Sequence, residues 1–189
     1  MIEAGLRDRM QRKLGPGTEL PDGVVTIVFT DVEGSTELVR ELGDHEARPI
    51  LRRHDEVVRE VLREHDGIEV ERSGDAFMLA FRLPSQAVGF ALRLQDRLAG
   101  DGEVKVRIGL DTGEVIREEK GYFGKTVIRA ARIAELGRGG QVMVSHATRI
   151  LAESAPGARF VDRGDKALEG LGGSHRVFEV VSAEPGGTA

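Results

Sequence analysis

The segment VTIVFTDVEGSTELV, Val25 to Val39, decides how the chain is read. The run from Val24 to Thr30 is β-branched and lies between Gly23 and Asp31, the composition of a buried strand. It stops at a carboxylate, Asp31, and the backbone of Val32 to Thr36 then turns into a helix start. Such a start directs N–H groups and the positive end of the helix dipole at anions. An Asp before Gly-Ser-Thr is also an ordinary turn and cap, so the segment alone leaves two readings open.

Working outward, β-like and helical patterns alternate. Ser35 or Thr36 caps a short helix that Gly43 ends. In RPILRRHDEVVREVLREHD the residues Ile50, Leu51, Val57, Val58, Val61 and Leu62 recur at helical spacing. They predict a long amphipathic helix that stops before Gly67, with Pro49 in its first turn or at a kink. A hairpin follows, its strands Ile68 to Glu71 and Phe77 to Phe81 joined by Ser73-Gly74-Asp75. Pro84 and Ser85 open a helix that Gly100 stops. VKVRIGLD alternates as a half-buried strand does, with Val104, Val106, Ile108 and Leu110 on one face. Thr126 to Leu136 reads as a helix and QVMVS as a strand. Ser145 caps a helix to about Ala152, and strands are expected near Phe160 and at Val177 to Val181. The order β-α-α-β-β-α-β predicts an α+β sandwich with helices over a mostly antiparallel sheet. Residues 1–23, ending in GPGTELPDG, read as a linker or regulatory segment, 24–181 as the domain, and 182–189 as a flexible tail.

Composition narrows the function. With 189 residues, 40% of them hydrophobic and 31% charged, the chain suits one globular core. It has no run of 18 apolar residues and a charged amino terminus, so a cytoplasmic protein without a membrane partner is expected. The absence of cysteine excludes disulfides and thiolate metal sites. A net charge of −5 without a dense Lys/Arg face argues against a nucleic-acid polymer as partner.

Asp31 ends one strand and Asp75 sits in the turn between two others. If those strands are neighbours, both carboxylates meet at one sheet edge and repel unless a cation or shared proton neutralises them. With no Cys and no His beside either in sequence, Mg²⁺ or Mn²⁺ is the natural occupant. Carboxylate-bound metal beside a phosphate cradle points to nucleotide chemistry.

This joint pattern resembles the catalytic domain of class III nucleotidyl cyclases, the adenylyl and guanylyl cyclases, from about Val24 to Val181. FTDVEGST looks like the first metal-binding strand end, and ERSGDAFMLAF like the hairpin with the second metal Asp. VRIGLDTGEV is similar to the central strand, and YFGKTVIRAARI to the last catalytic helix. The resemblance implies a ferredoxin-like βααββαβ sandwich and a head-to-tail homodimer with active sites at the interface. It also implies conversion of a nucleoside triphosphate, GTP or ATP, to a 3′,5′-cyclic monophosphate and pyrophosphate. Two ions about 3.5–4 Å apart are expected, bridged by Asp31 and Asp75, with the Val32 carbonyl as a further ligand. Phe29, Thr30, Gly34, Ser35 and Thr36 are expected at the nucleotide, and Arg132 is the cation matched to charge building on the α-phosphoryl oxygens.

Two departures sharpen the expectation. Where adenylyl cyclases carry Lys and a polar acceptor, this chain has Glu71 and Gly121, followed by Tyr122. A carboxylate accepts from N1–H and the N2 amine of guanine, so the base-reading set leans to GTP, with ATP as the alternative. The family's ribose-orienting Asn is replaced by Ile128, and loss of such a contact commonly costs on the order of 10²–10³ in rate. Arg129 follows it with no direction fixed by sequence. The family's phosphate-binding lysine has no match beyond Leu171, Lys166 or Arg176. A slow or inactive nucleotide-binding dimerisation module is therefore the rival reading, and a metallohydrolase a weaker third.

Overall fold

The computed structural model describes residues 20–119 and 121–183; the amphipathic stretch before Gly15 and nearly all of the tail lie outside them. β1 (Gly23–Val32) leads into α1 (Ser35–Glu64), and the hairpin β2 (Ile68–Ser73) and β3 (Ala76–Phe81) follows. Then come α2 (Pro84–Asp101), β4 (Val106–Glu118), the short β5 (Gly121–Phe123) and α3 (Lys125–Leu136). β6 (Val142–Ser145), α4 (His146–Leu151), β7 (Ala158–Leu168) and β8 (Leu171–Ser182) complete the chain. The expected β-α-α-β-β-α-β order is present, because the helix pair after β1 is one run broken by a kink. The strands form one eight-stranded sheet in the order β2-β3-β1-β4-β6-β8-β7, with β5 on β4. Every pairing is antiparallel except β4 with β6.

Each face has its own core. On one, Val57, Val58 and Val61 of α1 and Phe90, Ala91 and Leu94 of α2 pack on Val28, Phe77, Leu79, Phe81, Ile108 and Leu110. These are the alternate positions of the strands, as a sheet covered on that face requires. On the other face, Val25, Ile27, Met78, Ala80, Tyr122 and Ala130 cluster beneath α3. α3 lies so close to β4 that a side-chain carbon at Gly109 would stand 2.2 Å from the Ala134 backbone nitrogen. That approach explains a glycine in the middle of a strand.

Several expected boundaries shift. Gly34, at φ 70°, is the N-cap of α1 and no side chain caps it, so neither Ser35 nor Thr36 has that role. Gly43 does not end the helix: with φ 79° and ψ 164° it kinks a run that continues to Glu64, and Pro49 lies inside the second half. α2 passes Gly100 and stops at Gly102, whose left-handed φ of 71° lets its N–H close on the Leu98 carbonyl. β4 and the β7–β8 hairpin are longer than the apolar alternation marks. Ser145 does cap α4, its hydroxyl accepting from the Thr148 N–H. Among the described residues no helix is long and apolar enough to cross a membrane.

Candidate active site

β1 and β3 pair antiparallel up to Thr30 opposite Phe77. One residue past Thr30 is Asp31, and two residues before Phe77 is Asp75, so both carboxylates reach the same end of neighbouring strands. Gly74, at φ 63°, makes the two-residue turn that closes β2 on β3 and sets Asp75 there.

Their environments differ. Asp31 stands opposite Arg107 of β4 and accepts from its Nε at 2.8 Å and its Nη2 at 2.5 Å. Asp75 Oδ2 is buried without a partner, as is the neighbouring-strand hydroxyl of Thr30. An unpartnered buried carboxylate oxygen costs free energy unless something else satisfies it. Among the described residues no three His, Asp or Glu side chains converge into a cage. Two carboxylates at a sheet edge suit Mg²⁺ or Mn²⁺, which complete their shells with water and substrate phosphates.

The turn after Asp31 is exposed from Glu33 to Gly34 and fastened from behind. The Glu33 N–H donates to the Lys105 carbonyl at 2.8 Å, and the Glu33 carboxylate accepts from the Gly139 N–H at 3.0 Å. Gly34, Ser35 and Thr36 begin α1 with free backbone donors, while Val32 is buried and Phe29 half-buried in the cluster beneath α3.

On α3 the predicted residues part company. Ile128 is 40% exposed on the outer surface. Arg129 points inward and donates from Nη1 to Asp111 Oδ2 at 2.8 Å, so the direction missing from the sequence is towards the sheet. Asp111 is fully buried, and that desolvation raises its pKa although the Arg129 charge opposes it. Arg132 engages Glu135 at 2.9 Å and Glu169, in the β7–β8 turn, at 3.7 Å. None of its contacts reaches Asp31 or Asp75. Of the substitutes for a phosphate-binding lysine, Arg176 is paired with Asp162, Leu171 packs against Ile133, Met143, Leu168 and Val177, and Lys166 stands opposite His175 in β7.

Glu71 is exposed on β2. Gly121 opens β5 at φ 143°, and a side-chain carbon there would meet Val70 Cγ1 at 3.2 Å. Tyr122 is buried, and its hydroxyl donates to the Pro21 carbonyl at 2.6 Å; burial pushes its pKa up to about 12. Its ring thus binds the segment before β1 to β5.

Three features escaped the sequence reading. Arg107 faces Asp31 only through strand pairing, and its sole sequence signal is a cation on the non-core face of an alternating strand. His54 is buried in α1 with neither ring nitrogen hydrogen-bonded, its ring 5.9 Å from Phe77. Burial lowers its pKa against the pull of Asp55 and Asp75, so the fold brings near Asp75 a histidine that is distant in sequence. Asp55, beside it, pairs with Arg72 at 2.6 Å.

The profile of the adenylate and guanylate cyclase catalytic domain matches residues 19–181. An uncharacterised protein of Mycobacterium tuberculosis is 39% identical over 155 residues, 80% of this chain and 53% of that protein. The adenylate cyclase of Lachancea kluyveri is 32% identical over 168 residues, 73% of this chain and 9% of the enzyme. The chain thus spans about half or less of these relatives' lengths. Adenylate cyclase from Trypanosoma brucei, solved in its monomeric state, superposes with a TM-score of 0.76 at 25% identity, covering 87% of this chain and 92% of that one. The two aspartates at one sheet edge therefore stand in a known frame, and the chain belongs to the adenylate and guanylate cyclase catalytic domain family.

Proposed function

We propose that residues 24–181 form a class III nucleotidyl cyclase domain that converts GTP, in preference to ATP, to the 3′,5′-cyclic monophosphate and pyrophosphate in the cytoplasm. Residues 1–23 serve as its linker or regulatory segment. The observation that carries the reading is Asp31 and Asp75 at one sheet edge, the second with an unpartnered buried oxygen. Two divalent ions held there, with the Val32 carbonyl, would acidify the ribose 3′-hydroxyl and offset phosphate charge. The amides of Gly34 to Thr36 face the phosphates. The 3′-hydroxyl gives its proton to solvent and its oxygen attacks the α-phosphorus in line; the bond from that phosphorus to the α–β bridging oxygen breaks, and pyrophosphate leaves.

Arg132 supplies a fixed cation for charge on the α-phosphoryl oxygens, and it does so across a homodimer interface. Two features support that arrangement. Within one chain its contacts lie with Glu135 and Glu169, away from the aspartates. Exposed apolar residues also gather where α3 begins: Ile116 and Phe123 pair across β4 and β5 at 61% and 58% exposure, and Ile128 follows at 40%. Such a patch marks an association surface. Glu71 accepts from guanine, and Gly121 lacks the acceptor that would read the adenine amino group.

A specific observation favours a second reading, a slow or silent nucleotide-binding dimer. Ile128 offers no hydrogen bond, and Arg129 is committed to Asp111. Incubating the protein with Mn²⁺ and GTP or ATP and measuring cyclic product separates the two. Product from either nucleotide, rising on the order of 10²-fold in Ile128→Asn, supports the cyclase. Nucleotide binding without product in both forms supports the silent dimer.

A further inference from the structure

Two ion pairs tie α1 to β2, and their spacing along β2 is odd. Arg59 donates to Glu69 from Nε at 2.7 Å and Nη2 at 2.9 Å, and Arg72 pairs with Asp55 at 2.6 Å. Both guanidinium groups lie over the Phe77 ring, 5.3 and 5.7 Å from its centre. Side chains alternate between faces along a strand, so Glu69 and Arg72 would point to opposite faces of a regular one. Both face α1 because the register shifts between them: Glu69 stands opposite Leu79, Glu71 opposite Met78, and Arg72 opposite Phe77. Val70 is the extra residue of a bulge, and a bulge re-aims the side chains that follow it.

The consequence falls on Glu71. Leu79 and Phe77 belong to the helix-side core, whereas Met78 belongs to the opposite face. Regular alternation from Glu69 would send Glu71 towards α1; the bulge places it with Met78 on the face that carries Val70 and borders Gly121.

We propose that Asp55, Arg59, Glu69 and Arg72 are positioning residues for substrate selection: their two ion pairs hold the bulge that aims Glu71 at the purine base. The proposal rests on the reading of Glu71 as the base acceptor. If either pair breaks, the strand can relax by one residue, and a one-residue slip turns a side chain to the other face. Arg59 and Glu69 are 43% and 32% exposed, so their pair adds little stability by itself. A merely structural pair would leave selectivity untouched.

The test compares kcat and KM for GTP and ATP in wild type, Arg72→Met, Arg59→Glu and the exchange Arg59→Glu/Glu69→Arg. Metal ions serve both nucleotides alike, so the ratio of the two kcat/KM values isolates base reading. Each single variant is expected to lose about tenfold of that ratio, through a higher KM for GTP, and the exchange to recover it to within about threefold. A selective wild type whose ratio survives both single changes overturns the proposal. Amide exchange gives an arm independent of activity: Val70 to Ser73 should exchange at least about tenfold faster in Arg72→Met, with β1 unchanged. Unchanged protection overturns the clamp even in an inactive protein. Faster exchange in Arg72→Met, together with a wild type that shows no purine preference, instead refutes the role of Glu71.

Discussion

Asp75 keeps one carboxylate oxygen buried without a protein partner. An unpartnered buried oxygen at the hairpin tip costs free energy that a bound cation would offset. Asp75→Asn removes the charge and keeps the shape. It is expected to lower cyclase activity on the order of 10³-fold while leaving the melting temperature of the metal-free protein unchanged or higher, read by calorimetry. A large fall in melting temperature would mean the carboxylate is a structural contact. Asp111 is the second costly carboxylate, with a pKa raised first by burial. A folded-state pKa above the unfolded value means that the folded protein holds the proton more tightly. Stability from this group is therefore full below the ordinary carboxylate value of about 3.9 and declines as pH rises through the raised value. Asp111→Asn should flatten that acid-side decline in thermal unfolding, and a slope equal to wild type would refute the assignment.

At the scale of elements, legibility in the sequence followed the range of the interaction. β1, the hairpin at Gly74, α3 and the Ser145 cap were legible because their signals are local: β-branching, a turn glycine, helical periodicity and a hydroxyl three residues before its amide. The approach of Asp31 and Asp75 to one end of neighbouring strands was legible as a pair of motifs. Arg107 was not, because only pairing of β4 with β1 brings it to Asp31. The bulge at Val70 was hidden likewise, since it depends on Asp55 and Arg59 reaching β2 from another element. Gly43 shows the limit of local reading most plainly. A glycine after a helical run suggests a stop, yet the chain resumes its helix because Val57, Val58 and Val61 must return over the sheet. Its φ of 79° with ψ of 164° lies where essentially only glycine goes, so the kink depends on this residue. Gly43→Ala should lower stability by about 1–3 kcal/mol in urea unfolding, and a neutral result would show that the kink shifts to a neighbouring residue at no cost.

For the whole molecule, the decisive feature is that Arg132 keeps its contacts away from Asp31 and Asp75 within one chain. The aspartates stand at the end of β1 and in the β2–β3 turn, while Arg132 leans on Glu169 beyond α3. If two copies meet head to tail, each site takes its carboxylates from one copy and its arginine from the other, and a two-fold dimer has two such sites. Asp75→Asn and Arg132→Ala variants then fail for complementary reasons, and each alone is expected to be inactive. Mixed in equal amounts and allowed to exchange, half of the dimers pair one variant with the other, and in each of these one site has both aspartates and the arginine. The mixture should recover about a quarter of wild-type activity. Specific activity should also fall on dilution, in step with dissociation followed by sedimentation. A mixture as silent as its components, in conditions where sedimentation shows mixed dimers, would place Arg132 and the aspartates in the same chain's site or remove Arg132 from the chemistry.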